Sequence, residues 1–322
     1  MQLVEEYKKN KLKISSFDDL SSTDFEDMIV ENYETRTRGF VKIQDGCNNY
    51  CSYCIIPYLR GSLKSKDINI AYKEIENLVN NGFKEIVLTG IHTGSYGIGT
   101  NDNLVTLIRK ISKIEVLKRI RISSIEITEI NDELLKELEN NDKICDHLHI
   151  PLQSGVDTVL KAMNRKYNMN EYCDIIKKIR RVRPLINITT DVIVGFPTET
   201  EEDFNETLNN IEKIAFSKIH VFPYSKRDGT AAAKLKSVVT DNEKKSRSKT
   251  LIKLSDELEE NYNKKFIGKK LTVLIEEVKD GVSIGHTSNY IKVIINEKLN
   301  PNEVVKVLIN KIDNNKAFGE LI

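Results

Sequence analysis

Residues 40–61 read Phe40-Val-Lys-Ile-Gln-Asp-Gly-Cys47-Asn-Asn-Tyr-Cys51-Ser-Tyr-Cys54-Ile-Ile-Pro57-Tyr-Leu-Arg-Gly61. An apolar run with strand character, Phe40–Gln44, leads into three cysteines separated by three and then two residues. Structural zinc sites and ordinary iron–sulfur clusters take four protein ligands. Three thiolates on one short loop can instead hold a four-iron cubane at three corners. The fourth iron is then open to the amino and carboxylate groups of a ligand. A zinc site completed by a distant Cys or His stays open at this point, because the chain has five cysteines and five histidines. A disulfide framework fits poorly: the chain is large, the cysteine count is odd and no secretory signal is read.

Outward from that loop the chain alternates. Strand-like runs recur at Glu85–Thr89, Arg119–Ser123, His147–Ile150, Asn187–Val194 and Lys218–Phe222. Helical periodicity separates them at Asn69–Asn81, Leu104–Lys113, Asp132–Glu139, Val156–Met163, Asn170–Val182 and Glu201–Ala215. Asp132 and Asn170 are the expected N-caps, and Pro184 ends the helix before it. Six strand–helix units in a row imply a parallel sheet with helices outside. They are too few for a closed eight-fold barrel, so the expected fold is α/β, a partial (β/α)6 barrel. Functional residues of such barrels gather at the C-terminal ends of the strands. The cysteine loop falls on that rim, and so does Thr89-Gly-Ile-His-Thr-Gly-Ser-Tyr-Gly97, whose three glycines let backbone approach a ligand.

Between Asp241 and Lys265 runs a charged helical pattern that Thr240 or Asp241 would cap. Its plain reading is a solvated connecting helix; its sharper one is a basic edge of Lys244, Lys245, Arg247 and Lys249 facing RNA. From Gly268 the period becomes two, with five short strands and turn signals at Lys279-Asp-Gly and Leu299-Asn-Pro, which predicts a small β-barrel. That barrel lacks the interleaved aromatic platform of single-strand binders. The segment 1–35 holds a charged stretch and a Ser/Asp/Thr-rich linker, and Met28 to Thr37 reads as an extended entry to the first strand.

With 49 Lys and Arg against 48 Asp and Glu, the net charge is +1, so nothing global points to nucleic acid. Any RNA contact must be local. At 322 residues and 39% hydrophobic content, one large and one small domain are expected, and no apolar run approaches membrane-spanning length. Cys145 and Cys173 read as small buried hydrophobes. His147 and His149 share one face of their strand, as core histidines or as a lining of the barrel mouth.

Several strings together resemble one family. They are Gly46 to Gly61, Leu88 to Gly97, Arg121-Ile-Ser-Ser-Ile-Glu126, His147-Leu-His-Ile-Pro-Leu-Gln-Ser-Gly155 and Met163-Asn-Arg-Lys-Tyr167. Asp191-Val-Ile-Val-Gly-Phe-Pro-Thr-Glu-Thr200, His220 to Arg227 and Gly285-His-Thr-Ser-Asn-Tyr290 continue the series. In this order they resemble the radical S-adenosylmethionine (SAM) methylthiotransferases that modify tRNA, and among them the branch acting on threonylcarbamoyladenosine. Thr198 departs from the pattern, where the family often carries Gly. The resemblance implies a radical-SAM barrel with its connecting helix over 36–265 and a TRAM-like RNA-binding barrel over 266–322. It implies a 4Fe-4S cluster on Cys47, Cys51 and Cys54, whose open iron chelates SAM and passes one electron to its sulfonium. Tyr53 would lie against adenine, Thr89 and Gly90 would meet the amino group, and Arg165 would pair with the carboxylate. Ser124, Glu126 and Gln153 would contact ribose or the methionine part, and Ile193 to Gly195 would border adenine. No catalytic residue beyond these is assigned. The implied reaction abstracts hydrogen from C2 of adenosine 37 in the tRNA anticodon loop, then inserts sulfur and methylates it with a second SAM. The implied partners are tRNA, SAM and an electron donor such as flavodoxin or ferredoxin, in the cytoplasm and without a membrane.

The family carries an N-terminal domain with three further cysteines for a second 4Fe-4S cluster, whereas this chain has no cysteine before Cys47. Residues 1–35 resemble only the tail of that domain. A fragment, a truncated gene product and a chain completed by a partner all fit. So do a methylthiotransferase, a non-catalytic tRNA-binding remnant and an enzyme acting on isopentenyladenosine. A radical-SAM enzyme with a different substrate fits the cysteine loop but poorly fits the His147 to Gly155 string.

Overall fold

The computed structural model describes residues 25–26, 29–30 and 37–322. The expected tail and linker, and most of the extended entry before the first strand, lie outside the described residues.

Strands β1 (Arg38–Lys42), β4 (Glu85–Thr89) and β5 (Arg119–Ile122) form one parallel sheet, with β1 pairing β4 and β4 pairing β5. The short β2 (Gln44–Asp45) and β3 (Lys64–Ser65) make a two-stranded ribbon that brackets the cysteine loop. Strands β6 (His147–His149), β7 (Asn187–Val194) and β8 (Lys218–Pro223) form a second parallel sheet. A parallel bridge from Ile120 to Ile144, just before β6, and a hydrogen bond from the Ile125 amide to the His149 carbonyl at 3.0 Å link the two sheets. The result is the splayed six-strand half-barrel that the alternation predicts. Outward-pointing Ile120, Ile122, Leu148, Ile150, Ile188 and Val192 are buried under the helices in one continuous core.

The inward positions follow a different rule. On β5 they are Arg119 and Arg121, on β6 His147 and His149, on β7 Asn187, Thr189 and Asp191, and on β8 Lys218 and His220. A barrel interior that serves only packing is filled with Val, Ile and Leu. Here those positions on β5 to β8 are polar, while Phe40 on β1 and Val87 on β4 keep an apolar side, and together they line a chamber of about 810 Å³.

Helix starts correct two expectations. Asn131 and Asn168, not Asp132 and Asn170, cap their helices, accepting from the Leu134 and Glu171 amides. The helix Met169–Val182 stops two residues before Pro184, as expected. Thr240 caps the 24-residue helix Asp241–Lys264 through a capping box with Glu243. The alternative basic edge of that helix keeps only half of its four cations exposed. Arg247 is buried and paired with Glu199 at 2.5 Å, and Lys244 packs beside Gly195 and Tyr224, which leaves Lys245 and Lys249 exposed.

The C-terminal strands β9 (Lys270–Lys279), β10 (Val282–Thr287), β11 (Lys292–Ile295), β12 (Val304–Asp313) and β13 (Lys316–Leu321) close into a barrel in the order β10-β11-β13-β12-β9. Gly285 sits at a bulge where an added Cβ would meet the Leu274 carbonyl oxygen at 2.1 Å. This barrel seats on the N-terminal ends of the large barrel's strands. Arg119 donates to the Thr272 carbonyl at 2.7 Å and to that of His286 at 2.9 Å, and Asn187 donates to the Asn289 carbonyl at 2.7 Å. Among the described residues no helix is long and apolar enough to cross a membrane.

Candidate active site on the barrel rim

The cysteine loop is held from several sides. Gly46 enters it at φ +73°, where an added Cβ would lie 1.9 Å from the Ser62 carbonyl oxygen. The Cys47 amide donates to the Gly61 carbonyl at 3.1 Å. Ser52 ties the middle of the loop down: its amide donates to Met163 O at 2.9 Å, its hydroxyl to Ala162 O at 2.8 Å, and its carbonyl accepts from Ala232 at 2.7 Å. Asn164, itself at φ +59°, donates to the Tyr50 carbonyl at 2.8 Å. All three thiols are half-buried and free of disulfides. Burial pushes the Cys54 thiol up, and the proximity of Cys51 and Cys47 adds to this. Three thiols held together on one fixed loop are a donor set that suits a cationic iron cluster.

Arg165 is buried against this set. Its Nη1 lies 3.3 Å from Cys51 Sγ, its Nε donates to Tyr167 Oη at 3.2 Å, and its Nη2 pairs with Glu126. On the other flank His92 contacts Glu129 at 2.8 Å and Ser95 at 3.1 Å, and its main-chain amide donates to Gln44 Oε1 at 2.6 Å. Burial opposes protonation of His92, but Cys47 and Glu129 outweigh it and raise the imidazole to about 10. The remaining cysteines do not complete a four-ligand zinc site: Cys145 is buried at the start of β6, its thiol raised to about 11 by burial, and Cys173 lies on the helix Met169–Val182. Among the described residues no three His, Cys, Asp or Glu side chains form a site for a single metal ion.

The residues expected to bind SAM do not form one cluster. Glu126 and Arg165 form one ion pair beside Cys51, with Tyr53 close to both. Tyr53 and Ile193 pack together on the apolar cluster of Val159, Met163 and Phe196. Gln153, at φ +69°, takes the Asp191 carbonyl with its amide at 2.8 Å and gives its own carbonyl to Ile193 at 2.9 Å. Thr89 ends β4 and donates to the Val41 carbonyl at 3.2 Å, while Gly90 passes so close to Gln44 that an added Cβ would lie 2.9 Å from Gln44 Cβ. Ser124 is half-buried just after β5. Gly195, at φ +71°, points the other way: its amide donates to Glu199 at 2.9 Å and Lys244 covers it. His92, Glu129 and Tyr167 also border the site, although their own local sequence assigns them no role. The one trace of His92 is a polar side chain set between glycines after a strand.

Residues 41–211 match the radical SAM superfamily model and residues 264–322 the TRAM domain model. The chain is 44% identical to the threonylcarbamoyladenosine tRNA methylthiotransferase MtaB of Bacillus subtilis (strain 168), over 90% of this chain and 66% of that protein. It is 38% identical to the protein of that name from Aquifex aeolicus (strain VF5), over 96% and 75%. It is 40% identical to the tRNA-2-methylthio-N(6)-dimethylallyladenosine synthase of Clostridium novyi (strain NT), over 88% and 64%. The chain thus spans less than two thirds of the Bacillus and Clostridium proteins. Among solved structures, the fold is shared with the radical SAM methyltransferase TsrM of Kitasatospora setae, with a TM-score of 0.52 at 16% identity over 61% of this chain and 38% of that one. Coproporphyrinogen III oxidase (HemN) from Escherichia coli shares it likewise, with a TM-score of 0.52 at 18% identity over 70% and 54%. The chain belongs to the radical SAM superfamily and, within it, to the family of the tRNA methylthiotransferases.

Proposed function

We propose that this chain is the catalytic core of a tRNA methylthiotransferase that modifies C2 of N6-threonylcarbamoyladenosine at position 37. The observation that carries the reading is the pinned loop of Cys47, Cys51 and Cys54 on the rim above a polar lumen. The three cysteines would hold a 4Fe-4S cluster. Tyr53, Thr89, Gly90, Ser124, Glu126, Gln153, Arg165, Ile193 and Gly195 are the proposed SAM contacts. Bound there, cluster and SAM supply a one-electron cleavage that yields a hydrogen-abstracting radical. The chain's own part is positional. Arg165, already balanced by Glu126, sets a positive charge beside the thiolates. Tyr53 and Ile193 offer an apolar face to a base. Arg121, His147 and Asp191 in the lumen support a polar N6 substituent, threonylcarbamoyladenosine, over a prenyl group. We further infer a radical-SAM unit over 36–265 and an RNA-binding barrel over 266–322, with tRNA and a cytoplasmic electron donor such as flavodoxin or ferredoxin as partners. The second cluster of the family finds no cysteines here outside Cys47, Cys51, Cys54, Cys145 and Cys173.

The test is anaerobic reconstitution with iron and sulfide, followed by electron paramagnetic resonance of the reduced protein with and without SAM. The expected result is one four-iron signal that shifts when SAM is added and is absent from Cys51→Ala. A cluster indifferent to SAM, or none, would leave the RNA-binding remnant as the better reading.

A further inference from the structure

The base of the lumen holds an unbalanced charge. Arg38, Arg119 and Arg121 surround the buried carboxylate of Glu85 at 3.7, 3.4 and 2.7 Å. Glu276 pairs with Arg38 at 2.5 Å. Three guanidiniums against two carboxylates leave one positive charge in excess. His147 does not add to it, since burial and the neighbouring Arg121 hold its imidazole well below the usual range, in the neutral form.

The excess coincides with unused hydrogen-bonding capacity. Arg121 donates through Nε to Glu85 at 2.7 Å and through Nη2 to the Ser288 carbonyl at 3.3 Å, but its Nη1 has no partner. Nδ1 of His147 has none either, while its Nε2 faces Thr189 Oγ1 at 3.1 Å. Both side chains are more than nine-tenths buried. The Tyr290 ring packs on both, 4.6 Å from the Arg121 guanidinium carbon and 5.1 Å from the His147 ring, and gives neither a hydrogen bond. Both side chains also line the 810 Å³ chamber, which reaches Ser123 and Asp191 near the rim. Nη1 and Nδ1 themselves have almost no accessible surface, so a ligand meets them by displacing the Tyr290 ring packed on both. A buried guanidinium with an idle N–H and a surplus charge is complemented by an anionic oxygen acceptor, above all a carboxylate.

We propose that the lower lumen is a carboxylate-binding recess in which Arg121, supported by His147, receives the acidic end of the group carried on N6 of the substrate adenosine. This rests on the methylthiotransferase reading above and adds the residue that selects the substrate. The relatives' names carry two such groups. A threonylcarbamoyl group ends in a carboxylate, whereas a dimethylallyl group is a branched hydrocarbon that would leave Arg121 unpaired. A site built around a polar partner rejects the analogue that lacks it far more strongly than an apolar pocket rejects a misfit.

Binding tests this without a cluster. The full chain is titrated, by fluorescence anisotropy, with anticodon stem-loops carrying threonylcarbamoyladenosine, dimethylallyladenosine or plain adenosine. The expected preference for the first is about tenfold or more. Arg121→Lys keeps a cation for Glu85 but loses the fork. His147→Phe keeps the ring against Tyr290 and leaves the salt network whole, so it serves where the first variant fails to fold. Each should reduce the preference and leave dimethylallyl binding within about twofold of the starting protein. No preference in the unaltered chain, or an equal loss with every RNA, overturns the proposal. A free inorganic anion is the other source of the same chemistry. Chloride whose NMR line is broadened by the unaltered chain but not by His147→Phe, and which threonylcarbamoyladenosine nucleoside fails to displace, assigns the recess to that ion and overturns the substrate role. If no RNA binds, the functional reading fails on its own, and displacement of chloride by the nucleoside decides the recess.

Discussion

At Gly46 one hydrogen atom decides whether the cysteine loop can form. An alanine there would hold both a left-handed backbone and a Cβ 1.9 Å from the Ser62 carbonyl oxygen. Gly46→Ala should therefore cost about 1–3 kcal/mol in denaturant unfolding and lower the iron bound per chain after reconstitution. Gln44 and Gly90 make a second tight contact, and Gly90→Val is expected to displace the Gln44 side chain that accepts the His92 amide at 2.6 Å. Loss of SAM response with iron content preserved would be its signature in the same spectra. The cysteines were legible in the sequence because metal chemistry fixes spacing along a short loop. His92 and Arg165 gain their roles through space: Glu129 lies 37 positions on from His92, and Cys51 lies 114 positions back from Arg165. Local pattern carries no trace of such pairs.

The strands were read nearly to the residue because alternation is a strong local signal, and β4 and β7 match their expected bounds. The alternation in Arg119-Ile-Arg-Ile separates a helix-facing side from a lumen-facing one, but that the polar side borders a chamber depends on the six strands around it. Helix caps were displaced by one or two positions. In Asn131-Asp132 and Asn168-Met-Asn170 two side chains of equal capping ability compete, and only the backbone path chooses. The helix Asp241–Lys264 shows how a charge pattern misleads. Arg247 reads as one more surface cation but is 5% exposed and neutralises Glu199, which is itself 2% exposed. Arg247→Ala should destabilise by about 3–5 kcal/mol by stranding that carboxylate, whereas Lys245→Ala and Lys249→Ala should each stay within about 0.5 kcal/mol. Urea unfolding of the three variants checks the contrast.

At the scale of the molecule the two barrels meet through charges, and their junction responds to acid. Burial alone would raise Glu276, but His286 and Arg38 lower it from the usual 4.5 to about 2. A carboxyl depressed in the folded state stabilises the protein above pH 4.5, and that contribution is lost as pH falls towards 2. The melting-temperature gap between the unaltered chain and Glu276→Gln is thus expected to be full near neutrality and to close across that window. Reconstituted with iron, sulfide, reductant and SAM, the chain is predicted to release 5′-deoxyadenosine but little methylthiolated tRNA, which chromatography of both products measures; stoichiometric methylthiolation would refute this. The ion pair between Arg38 and Glu276 also bears on how the chain is made. Its partners stand 238 positions apart, and Arg38 opens β1 while Glu276 lies in the first strand of the last barrel. A ribosome emits Arg38 and Glu85 long before Glu276 exists. Glu85 can meet the arginines early, but the base of the large barrel stays uncovered until the C-terminal barrel has been made.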